Sequence, residues 1–80
     1  MEITVLAFGI AKDIFGRESV QISLNNEADI ASLKTLLEEQ YPKLKELASY
    51  MIAVNDEYAH TDTVINPGDE IAIIPPVSGG

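Results

Sequence analysis

The chain contains no cysteine and only one histidine, His60. Disulfides, thiolate zinc sites and thiol nucleophiles are therefore excluded by inventory. A lone histidine supplies neither a metal site nor a catalytic triad, and His60 reads as a surface residue near a turn. Positive charge is scarce: five Lys+Arg stand against 13 Asp+Glu, a net charge of −8. Nucleic acid, whose phosphates demand a basic patch, is excluded as a partner. The excess of acid suits a basic protein partner, or simply solubility. Long apolar runs are also missing. "MEITVLAFGI" is too short to span a membrane, and Glu2 stands where a signal peptide needs positive charge. The expectation is a soluble, cytoplasmic protein without membrane contact. Repeats, linkers and low-complexity segments are absent too, so 80 residues make one domain. A chain this short buries only about 60–65% of the surface its unfolded form exposes. With no disulfide or metal to staple it, the 46% hydrophobic content must form the core.

What is present has a clear period. "EITVLAFG" (residues 2–9) is rich in β-branched and aromatic residues and predicts a strand. Ile3, Val5 and Ala7 share one face; Thr4, Leu6 and Phe8 share the other. "AKDIFG" predicts a short connection with one helical turn, closed by Gly16. "RESVQISL" alternates cleanly, with Val20, Ile22 and Leu24 inward and Ser19, Gln21 and Ser23 outward. The period then changes. Asp29 is a good N-cap for a helix beginning at Ile30. Ile30, Leu33, Leu37 and Tyr41 form its stripe, with Leu36 at its flank, and Pro42 ends it. "PKLKELASY" predicts a second helical piece with Leu44 and Leu47 facing the core. "MIAVN" predicts a strand, Asn55-Asp56 a turn, and "EYA" a short return. "NPGD" fits a type II turn with positive φ at Gly68, and "EIAIIP" is the last strand.

This ββαβ(β)β order predicts an α+β fold of the β-grasp, or ubiquitin-like, kind. Four to five strands form a mixed sheet with one main helix on one face, and the crossover lets the first and last strands run parallel. The other face meets water and should be polar. Leu6, Phe8, Ala72 and Ile74 break that rule and form one apolar patch, the mark of an interaction site. Val64, in "DTVIN", belongs to the same expectation, as an interface residue or as a cover packed over the patch. Tyr41, Tyr50 and Tyr58 read as packing residues with a polar tip. Glu38-Glu39 and Asp56-Glu57 read as solvated faces. Adjacent helical residues do not face each other, so the first pair is no shared-proton dyad.

The chain closes on "PPVSGG". The domain is expected over residues 1–75 and an extended tail over 76–80. Pro75 and Pro76 favour a stiff exit from the sheet. Val77 is the last bulky residue, and Ser78, Gly79 and Gly80 are small enough to thread a narrow channel. Six extended residues reach about 20 Å. The Gly80 carboxylate is ionised at neutral pH and is a poor electrophile. Activation as an acyl adenylate opens it to a sulfur nucleophile, leaving a thiocarboxylate, or to an amine, leaving an amide.

"VND" followed by "NPGDEIAIIPPVSGG" closely resembles the C-terminal half of the small, sulfur-carrier subunits of molybdopterin synthase, the MoaD family. "LAFGIAKDIFG" resembles that family's first strand and following turn, so the resemblance covers essentially the whole chain. Related thiamine-pathway carriers also end in Gly-Gly but typically lack the proline pair. The resemblance implies a non-catalytic carrier with no bound cofactor and no metal. ATP and a ubiquitin-activating-like adenylating enzyme would convert Gly80 to a transient acyl adenylate and then a thiocarboxylate. Pro75, Pro76, Val77, Ser78, Gly79 and Gly80 would lie in a channel of the large, catalytic subunit. Sulfur would pass there to cyclic pyranopterin monophosphate, building the dithiolene of molybdopterin. Phe8 matches a hydrophobic interface position of the family; Ile74 departs from the aromatic that many relatives carry. Two large and two small subunits would form the complex. The alternatives are a ubiquitin-like modifier joined through Gly80 to lysines, a sulfur carrier of another pathway, and an interaction module with an inert tail.

Overall fold

The computed structural model describes residues 1–47 and 50–75; the expected tail, 76–80, lies outside the described residues. The chain runs β1 (Glu2–Ala7), α1 (Ile10–Phe15), β2 (Ser19–Ser23), α2 (Ile30–Gln40), a 3₁₀ segment (Pro42–Glu46), β3 (Met51–Val54), β4 (Glu57–Tyr58) and β5 (Glu70–Ile74).

Strict alternation makes β1 and β2 amphipathic. Ile3, Val5, Ala7, Val20 and Ile22 are buried, while Gln21 and Ser23 face solvent. The connection between them is more than the single turn expected. Ala11 and Phe15, four apart, bury one side of a six-residue helix, and the Gly16 N–H closes it on the Lys12 carbonyl at 2.9 Å. Lys12 Nζ also reaches Glu18 Oε1 at 3.5 Å, an exposed pair worth little energetically.

Helix α2 starts where Asp29 caps it. The Asp29 Oδ1 accepts from the Ser32 N–H at 2.9 Å, satisfying one of the donors a helix start leaves unpaired. That hydrogen bond, before any other cause, holds the Asp29 carboxyl below its ordinary range. The helix stops at Gln40, and Pro42 opens the 3₁₀ segment instead. Ile30, Leu33, Leu37 and Leu44 are fully enclosed; Leu47 is half-buried. Each such side chain contributes about 1.5–3 kcal/mol by leaving water. Phe15 and Tyr41 stack at 4.6 Å between ring centroids, tying α1 to the end of α2.

The sheet order is β2-β1-β5-β3-β4. The β1–β5 pair is parallel; β1–β2, β3–β5 and β3–β4 are antiparallel. This is the expected β-grasp. Gly68, with φ 87°, supplies the positive angle the turn before β5 requires, and the Asp69 N–H returns to the Asn66 carbonyl at 3.1 Å. The core lies between α2 and the inward face of the sheet, where Val5, Ile71 and Ile73 are sealed from water. Among the described residues no buried polar side-chain atom lacks a partner.

One solvated-face expectation is corrected. Glu38 is half-buried, and its Oε2 accepts from the Tyr50 hydroxyl at 2.6 Å. Lys34 Nζ lies 4.9 Å from the same ring's centroid. Burial first, then the hydrogen bond and charge of Glu38, push the Tyr50 phenol well above its ordinary range. The pair clamps the last turn of α2 to the residue that precedes β3.

Candidate functional site

The outer face of the sheet is built by register. Leu6 pairs with Ser19 on one side and Ala72 on the other; Ala72 pairs with Ala53, and Ala53 with Tyr58. Paired residues project to the same face, so one nearly apolar row crosses all five strands. The next row toward the end of β5 holds Ile74 beside Met51. The row on the other side is polar: Gln21, Thr4 and Glu70, with Gln21 Nε2 donating to Thr4 Oγ1 at 2.8 Å. The face is therefore sorted along the strands. Its apolar end is the end from which β5 departs.

Leu6, Phe8, Ala53, Tyr58, Ala72 and Ile74 line a shallow groove of about 310 Å³ at that end, with Asp56 and Glu70 on its rim. Phe8 is 50% exposed and also borders a second hollow with Gly9 and Lys12, so its ring stands as a ridge between the two. Gly9 adopts φ 54° and passes close under Pro75; a Cβ there would lie 3.2 Å from the proline Cγ. Pro75, half-buried, thus lies against Gly9, the residue that follows Phe8 at the end of β1. The root of the C-terminal segment and the groove share one corner of the molecule. Pro76, Val77, Ser78, Gly79 and Gly80 lie outside the described residues.

Four of the five expected patch residues come together: Leu6, Phe8, Ala72 and Ile74. Val64 does not join them. It pairs with Asp29 in an isolated bridge near the start of α2, is 49% exposed, and lines a different hollow with Val54, Thr63 and Asn66. It therefore neither extends the patch nor covers it. The Ile65 N–H bond to the Ala28 carbonyl, 2.8 Å, draws this segment to the helix side of the sheet. Tyr58 is the second correction. At 64% exposed it is a rim residue of the groove, not a packing residue. Ala53 and Met51 were missed. Alternation in "MIAVN" puts them on the face opposite Ile52, and only pairing with β5 carries them to Ala72 and Ile74.

Among the described residues no three His, Cys, Asp or Glu side chains gather to hold a metal ion. His60 is exposed, its N–H bonded to Thr63 Oγ1 at 3.1 Å. No helix of the described residues is long and apolar enough to cross a membrane.

The described residues define a small β-grasp domain of the ubiquitin-like class, with an apolar corner beside Pro75. Within that class the chain belongs to the ThiS family, whose model matches residues 5–80. It is 40% identical to the molybdopterin synthase sulfur carrier subunit of Dictyostelium discoideum, over 99% of this chain and 96% of that protein. The complex of subunits 1 and 2 of the molybdopterin-converting factor from Helicobacter pylori contains a chain 31% identical to it, with a TM-score of 0.72 and full coverage of both. SAMP1 from Haloferax volcanii shares the fold, with a TM-score of 0.86 at 22% identity and full coverage of both chains.

Proposed function

We propose that this protein is the sulfur carrier of molybdopterin synthesis and acts through Gly80. The observation that carries the reading is the apolar corner at the end of β5: a partner seated on Leu6, Phe8 and Ile74 receives the segment that follows Pro75. Full-length similarity to named sulfur carrier subunits supports it.

The chemistry asks little of this chain beyond an accessible terminus. The Gly80 carboxylate attacks the α-phosphorus of ATP on an adenylating enzyme, and pyrophosphate leaves. A hydrosulfide equivalent then attacks the acyl carbon, AMP departs, and a thiocarboxylate remains. In the large synthase subunit the thiocarboxylate sulfur attacks an oxygen-bearing carbon of cyclic pyranopterin monophosphate; the C–S bond forms as the C–O bond breaks, and the oxygen leaves with the bonding pair. Water cleaves the acyl–sulfur bond, restoring the carboxylate and leaving sulfur on the pterin. Two loaded carriers supply one dithiolene. In this reading the catalytic groups belong to the partners, and two large and two small subunits form the complex. Small residues at 78–80 suit a buried channel because no side chain obstructs the approach.

The test is the intact mass of the protein after incubation with its adenylating enzyme, ATP and a sulfide source. Replacement of one oxygen by sulfur, absent when Gly80 is deleted, is the expected result. Unchanged mass, with isopeptide-linked adducts in cells, would reassign the protein as a modifier.

A further inference from the structure

The groove occupies the β1–β5–β3–β4 part of the sheet. The opposite edge, β2, carries a second feature. Of the two edge strands, β4 has only two residues, whereas β2 has five. Hydrogen bonding decides which β2 backbone groups are taken. The Glu18 carbonyl accepts from the Ala7 N–H and the Leu24 N–H donates to the Met1 carbonyl, both at 2.8 Å. In this antiparallel ladder Val20 and Ile22 also turn their backbone groups to β1. Ser19, Gln21 and Ser23 turn theirs outward. Among the described residues no turn or cap hydrogen bond reaches those backbone groups. The strand has none of the usual guards of an edge: residues 19–23 include no lysine, no proline and no bulge.

Beside this edge lies a hollow of about 480 Å³ between the end of β2 and α2. Leu24, Ala28 and Leu36 give it an apolar floor; Ser32, Thr35 and Glu39 form its helix wall. A strand added to β2 would alternate like β2 itself. Its inward side chains would fall on the side of Ile22 and Leu24, over the hollow. Its outward ones would lie beside Ser19, Gln21 and Ser23. Among the described residues the one charge lining the hollow is negative, Glu39, on a chain of net −8. We propose that the β2 edge and its hollow take up an extended, basic segment of a second protein as a sixth strand, with an apolar side chain in the hollow and a Lys or Arg against Glu39. No residue of β2 or α2 lines the apolar groove, and the site uses the outward edge of β2, so both can be filled at once. The proposal does not rest on the sulfur-carrier reading.

The experiment titrates the isotope-labelled full chain with a blocked seven-residue peptide of alternating valine and lysine, read by amide NMR shifts and exchange. Ser19, Gln21 and Ser23 should shift and exchange more slowly. Glu39→Lys, on an exposed helix position, should weaken binding about three- to tenfold. Gln21→Pro removes an outward N–H, leaves the β1 ladder intact and should abolish binding. Equal affinity for an alternating valine–glutamate peptide would overturn the proposal. So would shifts confined to the Leu6, Phe8 and Ile74 groove. Shifts of the β2 amides that grow with protein concentration alone would overturn it in favour of a second copy of the chain.

Discussion

Phe8→Asp tests the docking corner. Phe8 is 50% exposed, and an aromatic side chain offers about 150–250 Å² to burial, so about 100 Å² remains for a partner. At about 25 cal/mol per Å² that area is worth about 2.5 kcal/mol on docking. Aspartate forfeits it and adds a charge that must shed water. The expected loss is at least about 2 kcal/mol, or about 30-fold in Kd. The assay is calorimetric titration of the large molybdopterin synthase subunit with each variant. Val64→Asp is the control: the residue is equally exposed, at 49%, but lines another hollow, and its Kd should match the parent's. Folding is followed by far-UV circular dichroism, which should be native for both. A native Phe8→Asp protein whose Kd stays within about twofold of the parent would refute the docking reasoning. An unfolded one would show that Phe8 serves the core.

Tyr50→Phe should lower stability by about 1.5–3 kcal/mol, since it removes a hydrogen bond to a charged, half-buried acceptor. The phenol's folded pKa is raised above its ordinary 10.0, so the folded state favours the neutral form. Its contribution is fully present below that pH and is lost as pH rises above it. Urea unfolding at alkaline pH should therefore show a decline that Tyr50→Phe flattens; parallel curves would contradict the clamp. Asp29→Ala should lower Tm by a few degrees through loss of the helix cap. Because the Asp29 pKa is depressed below 3.8, its contribution is present above that value and lost as pH falls below it. The variant and parent should converge in acid, and a constant gap in Tm would argue against the cap.

Local rules account for much of this fold. The alternation in β1 and β2, the Asp29 cap, the break at Pro42 and the positive φ at Gly68 all depend on neighbours a few residues away. So does the apolar excess at Leu6, Phe8, Ala72 and Ile74, which stood out because a solvent face should be polar. The errors fall where long-range pairing decides. Tyr58 looks like a packing residue until its pairing with Ala53 places it at the groove's rim. Val64 looks like part of the patch until backbone bonds to the α2 side carry its segment away. Glu38 looks solvated because nothing local announces Tyr50 as its donor. The α1 helix was legible in Ala11 and Phe15, four apart, but its brevity hid the signal.

β5 is hydrogen-bonded on both flanks, to β1 in parallel and to β3 antiparallel. Without it the sheet falls into two pairs, β2–β1 and β3–β4, with no strand pairing between them. A pull on the segment beyond Ile74, directed along the strand, loads both ladders in shear and all their bonds together. It cannot open them one at a time, as a zipper opens. The strand that would bear the mechanical load of a captured tail is also the one that keeps the two halves of the sheet from separating.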